Sequence, residues 1–449
     1  MCGSQQVEVV IVRVREDVPA DLVSISQHVS ISMQTHNKHT PVNFGQSRTF
    51  EVVGQNDFNI SYVDNTGARG SYFADTFRMG DTTLEGFQMG LAETTTIGIG
   101  IMGIGYSNSE ANIFTGNGTQ YPNLPLALVN AGLINTPAYS LWLDDLHSST
   151  GSILFGGIDT TKYEGSIKTI PVYPNQRRNN VTSFTVAFTS LSASSSSGTD
   201  TLTPADYAEP AILDSGTTLT LLPDALAQQV FTELGATVDE RLGSVLVPCN
   251  LANNTGTLNY GFGGPGGPEI RIRMSELVLP LTLTSGNQPV FNDGTQACQL
   301  GIQAAGALPT LFGDTFLRSA YVVYDLENNR VGMAQTNTTW MQGTNVVEFE
   351  SRGAEIPDSE SATAQISVSQ TESGQLRGTN EPGAQTAIGG ATGPAGNQAS
   401  PTGTGGLNAA SGFAENGSSR VKPFNADLLI LAGCWMVLAG IGAGYFAWL

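Results

Sequence analysis

Between residues 50 and 106, apolar and polar positions alternate in short runs broken by turn residues. Phe58, Ile60 and Tyr62 alternate with Asn59 and Ser61, the period-two pattern of a half-buried strand. Asp64-Asn65-Thr66-Gly67 then predicts a hairpin tip, and residues 70–77 the return strand. Residues 83–92 predict another strand. Residues 99–106 are apolar and glycine-rich, which calls for closely packed backbones. A short helix is predicted over 125–131 with Gly132 as its stop, strands over 138–143 and 151–159, and a Ser/Gly-rich surface loop over 192–200. Ala211-Ile212-Leu213 runs straight into Asp214-Ser215-Gly216-Thr217-Thr218, the way a buried strand delivers an acid to the floor of a cleft. Gly216 lets the chain turn beside the acid, and the hydroxyls can donate to it. Residues 223–234 form an amphipathic helix, with Pro223 at the start, Leu226, Val230, Phe231 and Leu234 on one face, and Gly235 as stop. Residues 320–325 and 330–334 flank Asn328-Asn329, a hairpin signal. The body is therefore nearly all β, with a weak two-fold repeat: Ile101-Met102-Gly103 echoes Leu311-Phe312-Gly313.

The pattern changes at both ends. At the start, residues 5–12 read as a strand that Arg13 to Glu16 break with charge, and no signal peptide is legible. His28, His36 and His39 lie in this segment without Asp, Glu or Cys at ligand spacing, so no metal site is expected. Residues 352–425 are rich in Gly, Ser, Thr, Ala, Pro and Gln, the composition of a disordered stalk. Residues 428–449 contain no charge and are long enough to span a bilayer. Asn416-Gly417-Ser418 and a polar spacer over 419–427 precede them, which matches a glycolipid (GPI) attachment signal with Asn416 as the anchored residue. A retained transmembrane helix is the alternative.

Composition narrows the setting. The chain has 19 Lys+Arg against 39 Asp+Glu, a net charge of −20, which disfavours nucleic acid and anionic membrane surfaces and suits an acidic milieu. Asn-x-Ser/Thr sequons start at Asn59, Asn117, Asn180, Asn253, Asn337 and Asn416. Of the four cysteines, only Cys249 and Cys298 lie in sequence that looks folded, and closing that loop would contribute about 4 kcal/mol on the chain-entropy model. Together these features indicate the secretory pathway and the cell surface.

Residues 58–334 resemble the pepsin-like aspartic endopeptidases, most closely the fungal yapsin-like, GPI-anchored branch. Ile60-Ser61-Tyr62 with its Gly-bearing hairpin resembles the flap, with Tyr62 as the flap tyrosine. Ile101-Met102-Gly103 resembles the apolar-apolar-Gly element of the first lobe. Residues 151–159 resemble the Gly-Ser-x-x-x-Gly-Gly-x-Asp turn. Asp214 to Thr218 resemble the second catalytic triplet and its trailing hydroxyls, and residues 311–314 and 328–334 the closing elements of the second lobe. The resemblance implies an all-β bilobal fold with an interlobe cleft and one aspartate from each lobe. The two share a proton; one activates water against a peptide carbonyl while the other serves as acid. It also implies a Cys249–Cys298 disulfide, substrate contacts by Tyr62, Gly216, Thr217 and Thr218, protein or peptide substrates, a monomer, and no cofactor. The expected division is an atypical segment 1–47, the rest of the first lobe 48–170, the second lobe 171–345, the stalk 346–425 and the hydrophobic anchor signal 426–449.

One element is missing. The first-lobe Asp-Thr/Ser-Gly belongs before the flap, yet Asp214 heads the only such triplet in the chain. Asp17 and Asp21 have neither a following glycine nor a trailing hydroxyl. Residues 6–11 resemble the strand that leads into the first catalytic Asp, and family character then stops at Arg13. Either residues 1–47 come from an error in reading the gene, or the chain is a catalytically inactive surface protein that binds peptides. The intact downstream motifs, and the simultaneous lack of a secretion signal, favour the first.

Overall fold

The computed structural model describes residues 6–11, 47–61, 67–96, 101–115, 118–148, 150–174, 180–283, 286–339, 343–363, 365–368 and 408–414. Strands dominate, and short helices join them. A seven-stranded sheet takes strands from both halves of the chain, in the order Gln6–Ile11, Thr150–Phe155, Ala138–Trp142, Ala320–Asp325, Arg330–Thr336, Tyr163–Pro171, Ser359–Ser361. Ala320–Asp325 sits at its centre and is buried at every position, as expected of an unbroken apolar run covered on both faces. Tyr139, Phe184 and Tyr324 pack against one another beside it, with Phe184 and Tyr324 ring centres 4.5 Å apart. The hairpin after Ala320–Asp325 turns at Asn329, whose φ of 52° is left-handed, while Asn328 Nδ2 donates to Asp325 Oδ2 at 2.7 Å. Gln6–Ile11 joins the edge in parallel with Thr150–Phe155, so the strand read at residues 5–12 is present.

The second lobe is built on an eight-stranded sheet. Its order is Glu269–Arg273, Thr257–Phe262, Thr185–Ser195, Glu209–Leu213, Thr310–Phe312, Thr220–Leu222, Ile302–Ala304, with Gly198–Thr201 beside Thr185–Ser195. The predicted amphipathic helix is Asp224–Leu234; it buries Leu226, Val230, Phe231 and Leu234 and ends at left-handed Gly235. Cys249 and Cys298 form a disulfide at a small four-stranded sheet.

A fourth sheet, of the three strands Glu51–Ser61, Gly67–Met79 and Thr82–Thr95, contains the hairpin expected as the flap. Its apolar side meets the second lobe: Phe58, Ile60 and Ala68 cluster with Ile212, Leu221 and Leu311.

Three stretches differ from the sequence reading. Residues 192–200 are not a loop but the tip of a hairpin, with Gly198 opposite Ser195 and Asp200 opposite Ala193. The echo between Ile101-Met102-Gly103 and Leu311-Phe312-Gly313 does not extend to structure: the first stretch lies outside the described strands, whereas Thr310–Phe312 is a strand paired on both sides. Part of the range expected as stalk is folded. Val346–Glu348 pairs with Gly157–Asp159, Ser359–Ser361 pairs with Tyr163–Pro171, Phe349 and Ile356 are buried, and Asn408–Ala414 is a helix on the second lobe. A few well-placed apolar residues are enough to pin a polar segment to an existing surface, and average composition conceals them.

Candidate active site

The strand Thr310–Phe312 runs between the two arms of a loop. Glu209–Leu213 lies parallel to it on one side, and Thr220–Leu222 antiparallel on the other. The connection between the arms is Asp214 to Leu219. Asp214 N donates to Phe312 O at 3.0 Å, Asp314 N to Thr217 O at 2.8 Å, and Thr315 N to Thr218 O at 3.1 Å. The crossing is so close that a Cβ on Gly313 would lie 2.1 Å from Thr217 O and 2.6 Å from Leu219 O. Glycine is therefore required there by space, since its backbone φ of −92° suits any residue.

This loop fixes the acid. Asp214 is fully buried at the end of its strand. Its Oδ1 accepts from Gly216 N at 3.0 Å and its Oδ2 from Thr217 Oγ1 at 2.6 Å. Each oxygen thus has a donor that sets the plane of the carboxylate. Asp314, the residue after Gly313, is held where burial raises its carboxyl pKa to about 7; the charge of Asp214 pushes it the same way and Arg318 opposes both. Arg318 is itself committed. Its Nε donates to Glu276 Oε2 at 2.8 Å and its Nη2 to Glu276 O at 2.8 Å, and Glu276 Oε2 also accepts Leu146 N at 3.0 Å. That chain of contacts ties the acid loop of the second lobe to the first. A further acid lies near the flap hairpin. Glu110 accepts Tyr121 OH at 2.9 Å, Tyr121 packs on Tyr72 of the return strand, and burial pushes the Glu110 carboxyl up to about 7.

A buried strand that delivers a doubly hydrogen-bonded aspartate through a loop crossed by an apolar-apolar-Gly strand is the geometry expected of the second lobe. A family model described as eukaryotic aspartyl protease matches residues 19–336. The chain belongs to the eukaryotic aspartyl protease family. Among curated relatives of this chain, a probable aspartic-type endopeptidase OPSB of Arthroderma benhamiae is 39% identical over 349 residues, 78% of this chain and 68% of the relative. Two further relatives are proteins of Saccharomyces cerevisiae, and the first named supports the yapsin-like branch. Aspartic proteinase yapsin-3 is 34% identical over 300 residues, covering 65% of this chain and 56% of its own, and aspartic proteinase 3 is 36% identical over 296 residues, covering 63% and 48%. A solved aspartic proteinase from Irpex lacteus shares the fold at a TM-score of 0.53 and 23% identity, over 65% of this chain and 84% of that one.

Within this family member the expected residues fall in different places. Gly216 and Thr217 are spent on Asp214, and Thr217 is buried, so its hydroxyl orients the acid. Thr218 is half-buried, with its carbonyl taken by Thr315 N. Tyr62 lies outside the described residues; the flanking hairpin pairs Ser61 with Gly67. Among the sequons, Asn180 and Asn253 are exposed, and Asn59 lies within the flap strand. Asn337 is half-buried, with Nδ2 donating to Thr161 O at 3.1 Å. Asn117 and Asn416 lie outside the described residues, as do Asp17 and Asp21. Asp314, Arg318, Glu276 and Glu110 were not singled out from the sequence. Only Asp314 carried a signal, its place directly after Leu311-Phe312-Gly313.

Proposed function

We propose that the protein is an acid endopeptidase of the cell surface, with Asp214 as the second-lobe member of a carboxylate pair. The supporting observation is the carboxylate of Asp214, buried and oriented by Gly216 N and Thr217 Oγ1. A pair of adjacent carboxylates shares one proton because both cannot ionise cheaply. The ionised member takes a proton from water as the water attacks the peptide carbonyl. The protonated member gives its proton to the developing oxyanion, and the amine then leaves with the proton taken from water. Substrates are proteins or peptides lying under the flap hairpin.

Asp214 heads the only Asp-Thr/Ser-Gly triplet in this sequence. The polypeptide as written is therefore inactive by this reading, and the first-lobe triplet belongs in place of residues 13–47. The second reading, a peptide-binding protein without catalysis, draws on the same absence. A full-length transcript separates the two: an Asp-Thr/Ser-Gly codon triplet upstream of residue 50 supports the protease, and a transcript reading exactly as the present sequence supports the binding protein. Residues 416–449 are read as a GPI attachment signal with Asn416 as the anchored residue, with the exposed sequons Asn180 and Asn253 as glycan sites.

A further inference from the structure

The helix Asn408–Ala414 sits within the low-complexity range yet buries Ala409, Gly412 and Phe413. Asp200 caps its start: Ala409 N donates to Oδ2 at 2.7 Å and Asn408 Nδ2 to Oδ1 at 3.3 Å. Ser195 Oγ donates to Ala409 O at 2.8 Å, and Asn254 Nδ2 donates to Gly412 O at 2.9 Å. Ala409 and Phe413 are fully buried and join the main apolar core. The fit is close on both sides. A Cβ on Gly256 would lie 2.3 Å from the Phe413 ring, and one on Gly412 would lie 2.2 Å from Ser195 Oγ. Helices shorter than about 12 residues are marginal in water, so this one exists because it is docked. Its seat is the hairpin that the sequence shows only as a Ser/Gly-rich loop.

We propose that this helix is a clip that folds the stalk back onto the second lobe and sets the attachment residue against that lobe. The placement rests on the reading of Asn416 as the anchored residue. Without the clip, the 48 residue steps from Val368 to Asn416 (416 − 368) would let the body stand up to about 160 Å from the surface. With it, only the two steps from Ala414 to Asn416 separate the docked helix from the anchor, about 7 Å. The chain is then held to the body on either side of the low-complexity segment, by Ile366 N donating to Gly263 O and by the docked helix, and the second lobe faces the membrane or wall. The exposed sequon Asn253, next to Asn254 in the clip's seat, lies at that same face.

The test uses the full chain displayed on cells, with a recognition sequence for a site-specific protease inserted after Gly390. Cleavage at that site should leave the body on the membrane fraction. Phe413→Ala, or independently Gly412→Leu, should release about tenfold more body on the same cleavage. Equal release from the unmodified clip and from both variants would overturn the clip. The attachment reading is scored separately, by treating uncleaved chain with phosphatidylinositol-specific phospholipase C. Release supports it. Failure to release overturns the placement at the surface, and joint elution of the two cleaved fragments from gel filtration then decides the docking itself: together supports it, apart overturns it.

Discussion

Thr217 is the residue on which the acid most depends. Its hydroxyl is the donor to Asp214 Oδ2 at 2.6 Å, and both groups are buried. Thr217→Val keeps the shape and removes the donor, leaving a buried carboxylate oxygen short of a partner at a cost of about 1–3 kcal/mol. In a catalytically complete protein the variant should lower kcat with little change in KM, and it should lower Tm; an unchanged kcat would show that the Thr217 hydroxyl is not needed to orient the acid. Gly313 is constrained differently. A methyl group there would meet the backbone carbonyls of Thr217 and Leu219, neither of which can swing aside as a side-chain tip does. Gly313→Ala should destabilise by roughly 3 kcal/mol or more, or prevent folding of the second lobe, measured by urea unfolding. The importance of Asp214, Gly216 and Thr217 was legible in the sequence, because a strand that ends in Asp-Ser-Gly-Thr has few uses. Glu276 was not legible as a partner of the site, since the contacts that join it to Arg318 and Leu146 cross 42 and 130 positions.

At the scale of elements, reading succeeded where the local pattern carries the cause. The Asp224–Leu234 helix shows its apolar stripe, its Pro and its Gly, and the 320–336 hairpin shows Asn-Asn between apolar runs. It failed where pairing decides. Ser192 to Asp200 looks like a loop from composition, and becomes a hairpin because Ser192 and Ser194 also pair with Asn259 and Thr257 on the neighbouring strand. The Ile101-Met102-Gly103 stretch has the composition of Leu311-Phe312-Gly313, yet among the described residues only the latter pairs with a strand on each side. The Asn408–Ala414 helix contains one large apolar residue, Phe413, in a range otherwise poor in them, so no window average would find it. The disulfide belongs to this scale as well. It closes a separation of 49 residues, and replacing both Cys249 and Cys298 by Ser should lower unfolding free energy by about 4 kcal/mol in denaturant titration.

For the whole molecule, three buried acids set a direction for pH dependence. Glu110 is raised to about 7 by burial, despite the hydrogen bond from Tyr121. Glu233 is raised to about 7 by burial and then by Asp200, and its Oε2 has no hydrogen-bond partner. Asp314 is raised to about 7 by burial and then by Asp214, against Arg318. In each case the folded protein holds a proton that the unfolded chain gives up near pH 4. The folded state therefore binds more protons between about pH 4 and 7, and stability falls as pH rises through that window. Tm should drop from pH 4.5 to 7.5, and Glu233→Gln, which mimics the protonated acid, should flatten the drop; a Tm that rises over this range would contradict the assignment.

The account stands on Asp214 being half of a catalytic pair whose other half is missing from residues 1–47. The direct measurement is peptide hydrolysis at about pH 4, within the range where such a pair shares one proton. It compares the chain as written with a chimera whose residues 1–47 are replaced by a family segment bearing Asp-Thr-Gly. The account predicts no hydrolysis by the chain as written, pepstatin-sensitive hydrolysis by the chimera, and loss of that activity in the chimera's Asp214→Ala variant. Pepstatin-sensitive hydrolysis by the chain as written, or a chimera indifferent to Asp214→Ala, would contradict it.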